Sequence, residues 1–286
     1  MSDNAVAEQP RVRDFDFSDR DFDRVRQLIY GYAGISLSPA KRDMAYSRLA
    51  RRLRQCGLDS FGAYLDLVEA GDAEEQEAFT NALTTNLTAF FREAHHFPIF
   101  AEHLLRAGAA TPLTVWCSAA STGEVPYSIA MTAVETFDSF TPPVRILASD
   151  IDTGVLEKAQ AGVYDEERVE KLDAARVKRF FKRGSGSNSG KVRVRDELRN
   201  LVTFRRINLL EDGWPVRGPL DVIFCRNVMI YFDKTTQLAI LERFAPVLRD
   251  DGLLFAGHSE SFHNAVHLFR PLGKTVYGLT AAGKSR

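Results

Sequence analysis

Two acidic residues stand where apolar runs end. Glu124 follows the stretch VWCSAASTG, and Asp150 closes VRILASD. Ala119, Ala120, Ser121 and Thr122 are small enough to let the main chain approach a ligand, and Pro126 is expected to open a helix whose free N–H groups face the same space. A loop that cradles a pyrophosphate carries GxGxxG, whereas these positions hold Ala, Ser and Thr. A negative charge from Glu124 at the pocket mouth would repel phosphate and suits a cation such as a protonated amine or a sulfonium. The plainer reading of Glu124 is a first-turn carboxylate answering the helix dipole. Asp150 decides between the two. An acid at the end of the second strand of a parallel sheet accepts hydrogen bonds from both ribose hydroxyls of an adenosine-type cofactor, although Asp alone is also a common helix cap. The two acids and the glycine-poor loop together favour S-adenosylmethionine over NAD.

The rest of the chain must position these groups. A length of 286 residues suggests two units. Apolar residues make up 45% and charged residues 26%, and no apolar run approaches the roughly 18 residues of a membrane span, so membrane insertion is not expected. The start is polar and acidic rather than basic and then apolar, which argues against export and for a cytoplasmic location. Cys56, Cys117 and Cys225 are scattered, against both a disulfide framework and a zinc site. His95, His96, His103, His263 and His267 lack a carboxylate or thiol at ligand spacing, so no metal is expected. With 37 basic and 38 acidic side chains the chain lacks the basic footprint of a nucleic-acid binder.

Residues 1–14 read as a disordered tail and 15–85 as a small all-helical domain. FSDRDFDRVRQLIYGYAG carries Phe22, Val25, Leu28 and Ile29 at helical spacing and is expected to stop at Gly34. SLSPAKRDMAYSRLARRLRQCG combines Ser38 as N-cap, Pro39 at the first helical position and Gly57 just past the end. FGAYLDLVEAG and EEQEAFTNALTTNL repeat the amphipathic pattern. Beyond residue 112 the runs LTVWCSA, VRILASD, LDVIFCRN and GLLFAGHS alternate with helical stretches, the rhythm of a parallel sheet covered on both faces. GSGSNSGKVRVRDEL sets Val192 and Val194 against Arg193 and Arg195 in strict alternation and reads as an inserted hairpin, and KTVYGLT as a final strand.

The stretches LTTNLTAFFREAHHFPIF, WCSAASTG, ASDIDTGVLEKA and FCRNVMIYFDKTTQ closely resemble the CheR family of chemotaxis receptor methyltransferases, from about residue 20 to the end. The resemblance implies an α/β fold: an N-terminal all-helical receptor-recognition domain, a linker over 86–111 contacting the cofactor, and a methyltransferase domain over 112–286. That domain would hold a seven-stranded, Rossmann-like S-adenosylmethionine-dependent methyltransferase sheet with a small inserted antiparallel β-subdomain at about 180–200. The implied activity is methyl esterification of glutamate side chains on transmembrane chemoreceptors, leaving S-adenosylhomocysteine. Carried over by position, Asn86, Thr88 and Arg92 would close over the cofactor and contact its methionine part, and Glu124 would face its amino group. Asp150 would hold the ribose, Asn208 and Leu209 would border the adenine, and Asn227 and Val228 would line the floor near the sulfur. The family commonly shows STGEEPYS where this chain has STGEVPYS. Val125 thus replaces a second acid, and binding is expected to survive on Glu124 and Asp150.

A glutamate carboxylate is ionised at neutral pH, so the transfer needs positioning rather than a general base. Arg92 and Tyr231 are the expected catalytic side chains, Arg92 serving either the substrate carboxylate or the cofactor's own. For the receptor, the cytoplasmic helical domain of a chemoreceptor, Lys41, Arg48, Arg51 and Arg52 form a basic stripe beside the apolar arc Ala45, Leu49, Leu53 and Cys56, either a steering surface or a solvated face. In part of the family the β-subdomain adds a receptor tail peptide as an edge strand, with Arg193 or Arg195 meeting its carboxylate. An idle solvent loop is the alternative there. A monomer is the expected state. The rival readings are a dehydrogenase, a nucleic-acid methyltransferase, and a receptor-binding adaptor of the same fold without activity, the last favoured only by Val125.

Overall fold

The computed structural model describes residues 14–108 and 112–284, so the tail expected over 1–14 lies, Asp14 aside, outside them. By contacts the chain divides into a helical unit, Met1–Tyr32 with Leu37–Leu83, and a larger unit of Ala33–Ser36 with Thr84–Arg286. The helical unit contains α1 (Asp19–Ala33), α2 (Arg42–Cys56), α3 (Phe61–Glu69) and α4 (Ala73–Leu83). Phe22, Val25 and Ile29 are buried along one stripe of α1, as their spacing requires. The start of α2 differs from expectation. A single 3-10 turn, Pro39–Lys41, precedes it, and the Ser38 side chain makes no capping bond. Gly57 ends α2 in the left-handed region at φ 66°, its N–H donating to the Arg54 and Leu53 carbonyls.

Inside this unit sits a buried carboxylate. Glu75 accepts hydrogen bonds from Arg52 Nε at 3.1 Å and from the Tyr64 hydroxyl at 2.7 Å. Burial pushes the Glu75 carboxyl up, but the hydrogen bonds from Arg52 and Tyr64 outweigh it and hold it below its ordinary value. Arg52 is therefore spent on packing a polar core and does not belong with the outward stripe drawn from the helical wheel. Arg48 is also half-buried, with an N–H donated to the Ala82 carbonyl at 3.2 Å. Lys41 and Arg51 are exposed.

The larger unit contains α5 (His96–Ala107), β1 (Leu113–Cys117), α6 (Glu124–Phe137), β2 (Val144–Asp150), α7 (Thr153–Ala161), β3 (Val163–Asp165), α8 (Ala174–Phe180), β4 (Phe181–Arg183) and β5 (Lys191–Val194). It continues with α9 (Asp196–Arg199), β6 (Val202–Arg206), β7 (Leu220–Cys225), α10 (Lys234–Phe244), β8 (Leu248–Ala256), β9 (Phe269–Gly273), β10 (Val276–Leu279) and α11 (Ala281–Lys284). A seven-stranded sheet runs β6-β2-β1-β7-β8-β10-β9. The first five strands are parallel; β10 runs antiparallel to both its neighbours, β8 and β9, a mixed edge that the apolar runs did not announce. Every residue of the central strand β7 is buried, including Asp221, whose carboxylate accepts the Thr114 N–H at 2.7 Å. The next strand in sequence, β2, lies on one side of β1 and β7 on the other, so the strand order reverses there and opens a crevice at the carboxyl ends.

Three features refine the sequence reading. The helix after β1 begins at Glu124 rather than at Pro126, because Gly123 takes φ 97° and turns the chain earlier; a Cβ there would lie 2.8 Å from the Tyr164 hydroxyl. The segment 86–111, read as a linker, holds the helix α5, which packs Phe97 and Phe100 against Phe224 of β7. The small antiparallel sheet, β3-β5-β4, starts as early as Val163 and has three strands rather than the two of a hairpin, with the arginine-bearing β5 at its centre.

Replacing Glu75 by Ala should leave Arg52 charged and half-buried without its partner, at a cost of about 3 kcal/mol. Urea unfolding of the full chain followed by circular dichroism should then show an early helical transition that the parent protein lacks.

Candidate functional site

The loop after β1 is shaped by its small residues. Ser118 and Ala120 donate their N–H groups across the crevice to the Phe224 and Ser149 carbonyls at 2.9 and 2.8 Å, pulling the loop down onto β7 and β2. Ser121, at φ 48°, then turns its own N–H onto Asp150 Oδ2 at 2.8 Å, and Asp150 Oδ1 accepts the Asp152 N–H at 3.1 Å. Burial raises the Asp150 carboxyl to about 6, against these amides, which pull it down. Asp152 caps α7 through Val155 N at 3.1 Å, and its other oxygen accepts Thr84 Oγ1 at 2.7 Å and Asn86 Nδ2 at 2.8 Å. The start of the linker is thereby pinned beside Asp150, and Ser121 Oγ donates to the Asn86 carbonyl at 3.3 Å.

Glu124 is not at the mouth of the crevice and is not unpaired. It is fully buried; Thr122 Oγ1 donates to one oxygen at 2.6 Å, and Arg168, from the turn after β3, takes the other. The same guanidinium donates to the Thr88 carbonyl at 3.2 Å. Arg168 therefore joins Glu124 to the linker, and a cofactor ammonium can reach this carboxylate only by sharing it with the guanidinium or displacing it. Val125 is buried in the main apolar cluster.

The far end of the linker is held by a second carboxylate. Glu93 accepts Arg226 Nε at 3.1 Å, the His258 N–H at 2.9 Å and Asn227 Nδ2 at 3.4 Å, while Arg226 also donates to the Arg92 carbonyl. Burial pushes the Glu93 carboxyl up, but the His258 amide and the Arg226 charge hold it below its ordinary value. Burial, with Arg226 nearby, lowers His96 to about 4, so its imidazole is neutral and donates Nε2–H to the Lys274 carbonyl at 3.0 Å. Phe91 and Glu93 have φ of 52° and 54°, so the backbone on both sides of Arg92 is in the left-handed region. Arg92 itself donates to the Leu87 carbonyl at 2.6 Å.

The sequence-derived residues thus converge in part. Asn86, Thr88, Glu124 and Asp150 are linked through Ser121, Asp152 and Arg168. Asn208 and Leu209 are buried just past the point where the Ile207 N–H meets the Asp150 carbonyl at 3.1 Å. Arg92 is tied to Asn227 through Arg226 and Glu93, and half-buried Val228 accepts the Tyr231 N–H at 3.1 Å. Arg193 and Arg195 take no part in this network: Arg193 pairs with Asp196 at 3.2 Å, and half-buried Arg195 reaches the Lys178 carbonyl at 3.5 Å. The sequence reading missed Glu93, Asp152, Arg168, Arg226 and Glu260. Asp152 had a local signal, Asp two before Gly at a helix start; the Glu93–Arg226 pair is separated by 133 positions and had none.

Comparison with known proteins agrees with this architecture. Residues 86–278 match the family model of the CheR methyltransferase SAM-binding domain, and 20–84 that of the CheR all-alpha domain. The chain is 56% identical over 266 residues to chemotaxis protein methyltransferase 2 of Pseudomonas aeruginosa, covering 93% of this chain and 95% of that one. It is 56% identical over 264 residues to the chemotaxis protein methyltransferase of Salmonella typhimurium, covering 92% and 91%, and 54% identical over 264 residues to that of Escherichia coli, covering 92% of each.

Asp150 supplies a pH dependence. If Asp150 accepts ribose hydroxyls, its ionised form is the one that binds, and its grip should weaken as pH falls through about 6. Calorimetry with S-adenosylhomocysteine should give a flat affinity above about pH 7, a steady fall below 6, and weak, pH-independent binding in Asp150→Asn. The stability linkage has the opposite sign. The folded state raises this carboxyl from 3.8 to about 6, so its contribution to stability shrinks as pH rises across that interval.

Proposed function

The chain belongs to the CheR family of methyltransferases, and from that premise we propose that it transfers the methyl group of S-adenosylmethionine to glutamate side chains of transmembrane chemoreceptors, forming γ-methyl esters in the cytoplasm. The observation that carries this reading is the Asp150 carboxylate at the carboxyl end of β2. It is oriented by two main-chain amides and adjoins a glycine-poor loop. An ionised carboxylate has about four acceptor positions, so two amides leave capacity for the ribose hydroxyls. Arg226 Nη1, buried and without a hydrogen-bond partner among the described residues, is a further donor at this end of the sheet. This donor set fits the methyl donor. Asp150 would hold the ribose; Asn208 and Leu209 would border the adenine; Asn86, Thr88 and Arg92 would cover the methionine part; and Asn227 and Val228 would form the floor.

The cofactor supplies an electrophilic methyl on a positively charged sulfur. The protein's task is to present the acceptor carboxylate in line with it and to keep water out. Arg92 spends one N–H of its fork on Leu87, which leaves further donors for a carboxylate. A tight pair with the incoming glutamate would lower its nucleophilicity, so Arg92 acts best as an orienting contact, with the Tyr231 hydroxyl as its partner. A general base is unnecessary because the glutamate is already ionised. Val125 packs in the core and does not oppose cofactor binding, so the adaptor reading loses the one feature in its favour.

Receptor recognition divides between two surfaces. In the helical unit the exposed Lys41 and Arg51, with half-buried Arg48 beside them, suit an acidic helical partner, whereas Arg52 is committed to Glu75. In the small sheet a tail peptide would pair along the open edge of β3 or of β4, because β5 already has a neighbour on each side. Arg193 and Arg195 each spend one donor, on Asp196 and on the Lys178 carbonyl, and keep others for a peptide carboxylate.

Transfer of label from tritiated-methyl S-adenosylmethionine to receptor-containing membranes, released as volatile methanol by alkali, tests the reading. Label that resists alkali, or that fails to appear, would refute ester formation. Arg92→Ala should lower turnover about a hundredfold while the melting temperature holds, since its one structural bond is partly exposed. Reversing charge at Lys41 and Arg51 should reduce kcat/KM for receptor about tenfold in dilute salt and less at high salt.

A further inference from the structure

The loops after β7 and β8 meet around one acidic side chain that the sequence reading did not single out. Glu260 is 4% exposed. Its Oε1 accepts the N–H groups of Val228 at 2.9 Å and Met229 at 2.7 Å, and its Oε2 accepts the Asn227 N–H at 2.9 Å together with that of Gly257. Three successive amides turned to one point form a nest, a concavity suited to an anion. Here the anion is the protein's own. Asn227 takes φ 58° to complete the wrap. No side chain fits at Gly257, where a Cβ would lie 2.5 Å from Asn227 Nδ2 and 2.8 Å from Glu260 Oε2. The Glu260 N–H closes the turn on the Gly257 carbonyl at 2.9 Å.

We propose that Glu260 is the positioning residue that holds the Asn227–Met229 turn in the shape required to receive the methyl donor. The proposal rests on the reading of Asn227 and Val228 as the cofactor floor. Glu260 sets the main chain of Asn227, while Glu93 holds its side-chain amide at 3.4 Å, so the residue is fixed at both ends by different acids. Burial alone does not account for this arrangement. A hydrophobic residue at 260 would fill the same space at lower desolvation cost, but would leave four amides without that acceptor, those of Met229 and Gly257 buried and those of Asn227 and Val228 part-buried. Gln supplies one oxygen in place of two and turns an NH2 group onto donors.

The test begins with the full-length parent protein and S-adenosylhomocysteine. If calorimetry shows no binding, the functional reading and this proposal fall together. With binding established, Glu260→Gln should remain folded by circular dichroism, weaken the Kd at least tenfold, raise KM for S-adenosylmethionine in parallel, and leave KM for receptor within twofold. A Kd within twofold of the parent overturns the proposal and leaves the functional reading intact. If the variant does not fold, the parent protein decides. By NMR the amides of Asn227, Val228, Met229 and Gly257 should titrate with one midpoint, and S-adenosylhomocysteine should move that midpoint down. Burial pushes the Glu260 carboxyl above its ordinary value against the four amides; the Cys225 thiol and Tyr277 hydroxyl, both raised by burial with a push from Glu260, stay neutral there, and Glu93 is held below its ordinary value. A midpoint that the ligand does not move overturns the proposal.

Discussion

A carboxylate removed from water loses several kcal/mol of hydration unless N–H groups replace it. At the carboxyl ends of this sheet main-chain amides supply much of the replacement. Asp150 takes those of Ser121 and Asp152; Asp152 takes that of Val155; Glu93 takes that of His258; Glu260 takes four. Several of these bonds, such as Ser121 to Asp150 and Asn227 to Glu260, fix one loop to another chain segment as well as neutralising a charge. The loops after β1, β2, β7 and β8, which as free segments would be among the more mobile parts of the chain, therefore become the walls of the crevice. Small residues and left-handed positions are what allow the amides to turn inward. Ser121 and Asn227 are the clearest cases, each at positive φ with its N–H on an acid.

How much of this was legible in the sequence depended on range. The parallel strands were, because residues buried on both faces leave continuous apolar runs such as LDVIFC, and α1 and α2 were, because their stop glycines and 3.6-residue stripes are local signals. The edge strand β9 was not: it is mostly exposed and contains Pro271, so neither apolarity nor propensity marks it. The extent of the small sheet was missed for a similar reason, since β3 is three residues with one buried side chain. Asp150 could be picked out as a strand-end acid. The raised pKa of its carboxyl could not, because that depends on what other segments bring over it.

Charge was where sequence reasoning went furthest astray. Glu124 looked free because Arg168 lies 44 positions away, and Arg52 looked outward because a helical wheel cannot show that Glu75 comes from another helix. In both cases a long, flexible arginine reached a buried acid that spacing rules did not pair with it. The apolar stripe fixed which face of a helix was buried but left the partners of its flanking charges open.

The main chain around Arg92 has a further consequence. Phe91 and Glu93 each store about 1–2 kcal/mol in conformations that non-glycine residues seldom adopt. That torsional load is balanced by the Ser128 hydroxyl accepting the Phe91 amide and by Arg226 on the Arg92 carbonyl. The segment is consequently under torsional load, and loss of those two contacts would let residues 91–93 relax locally without unpairing any strand of the sheet.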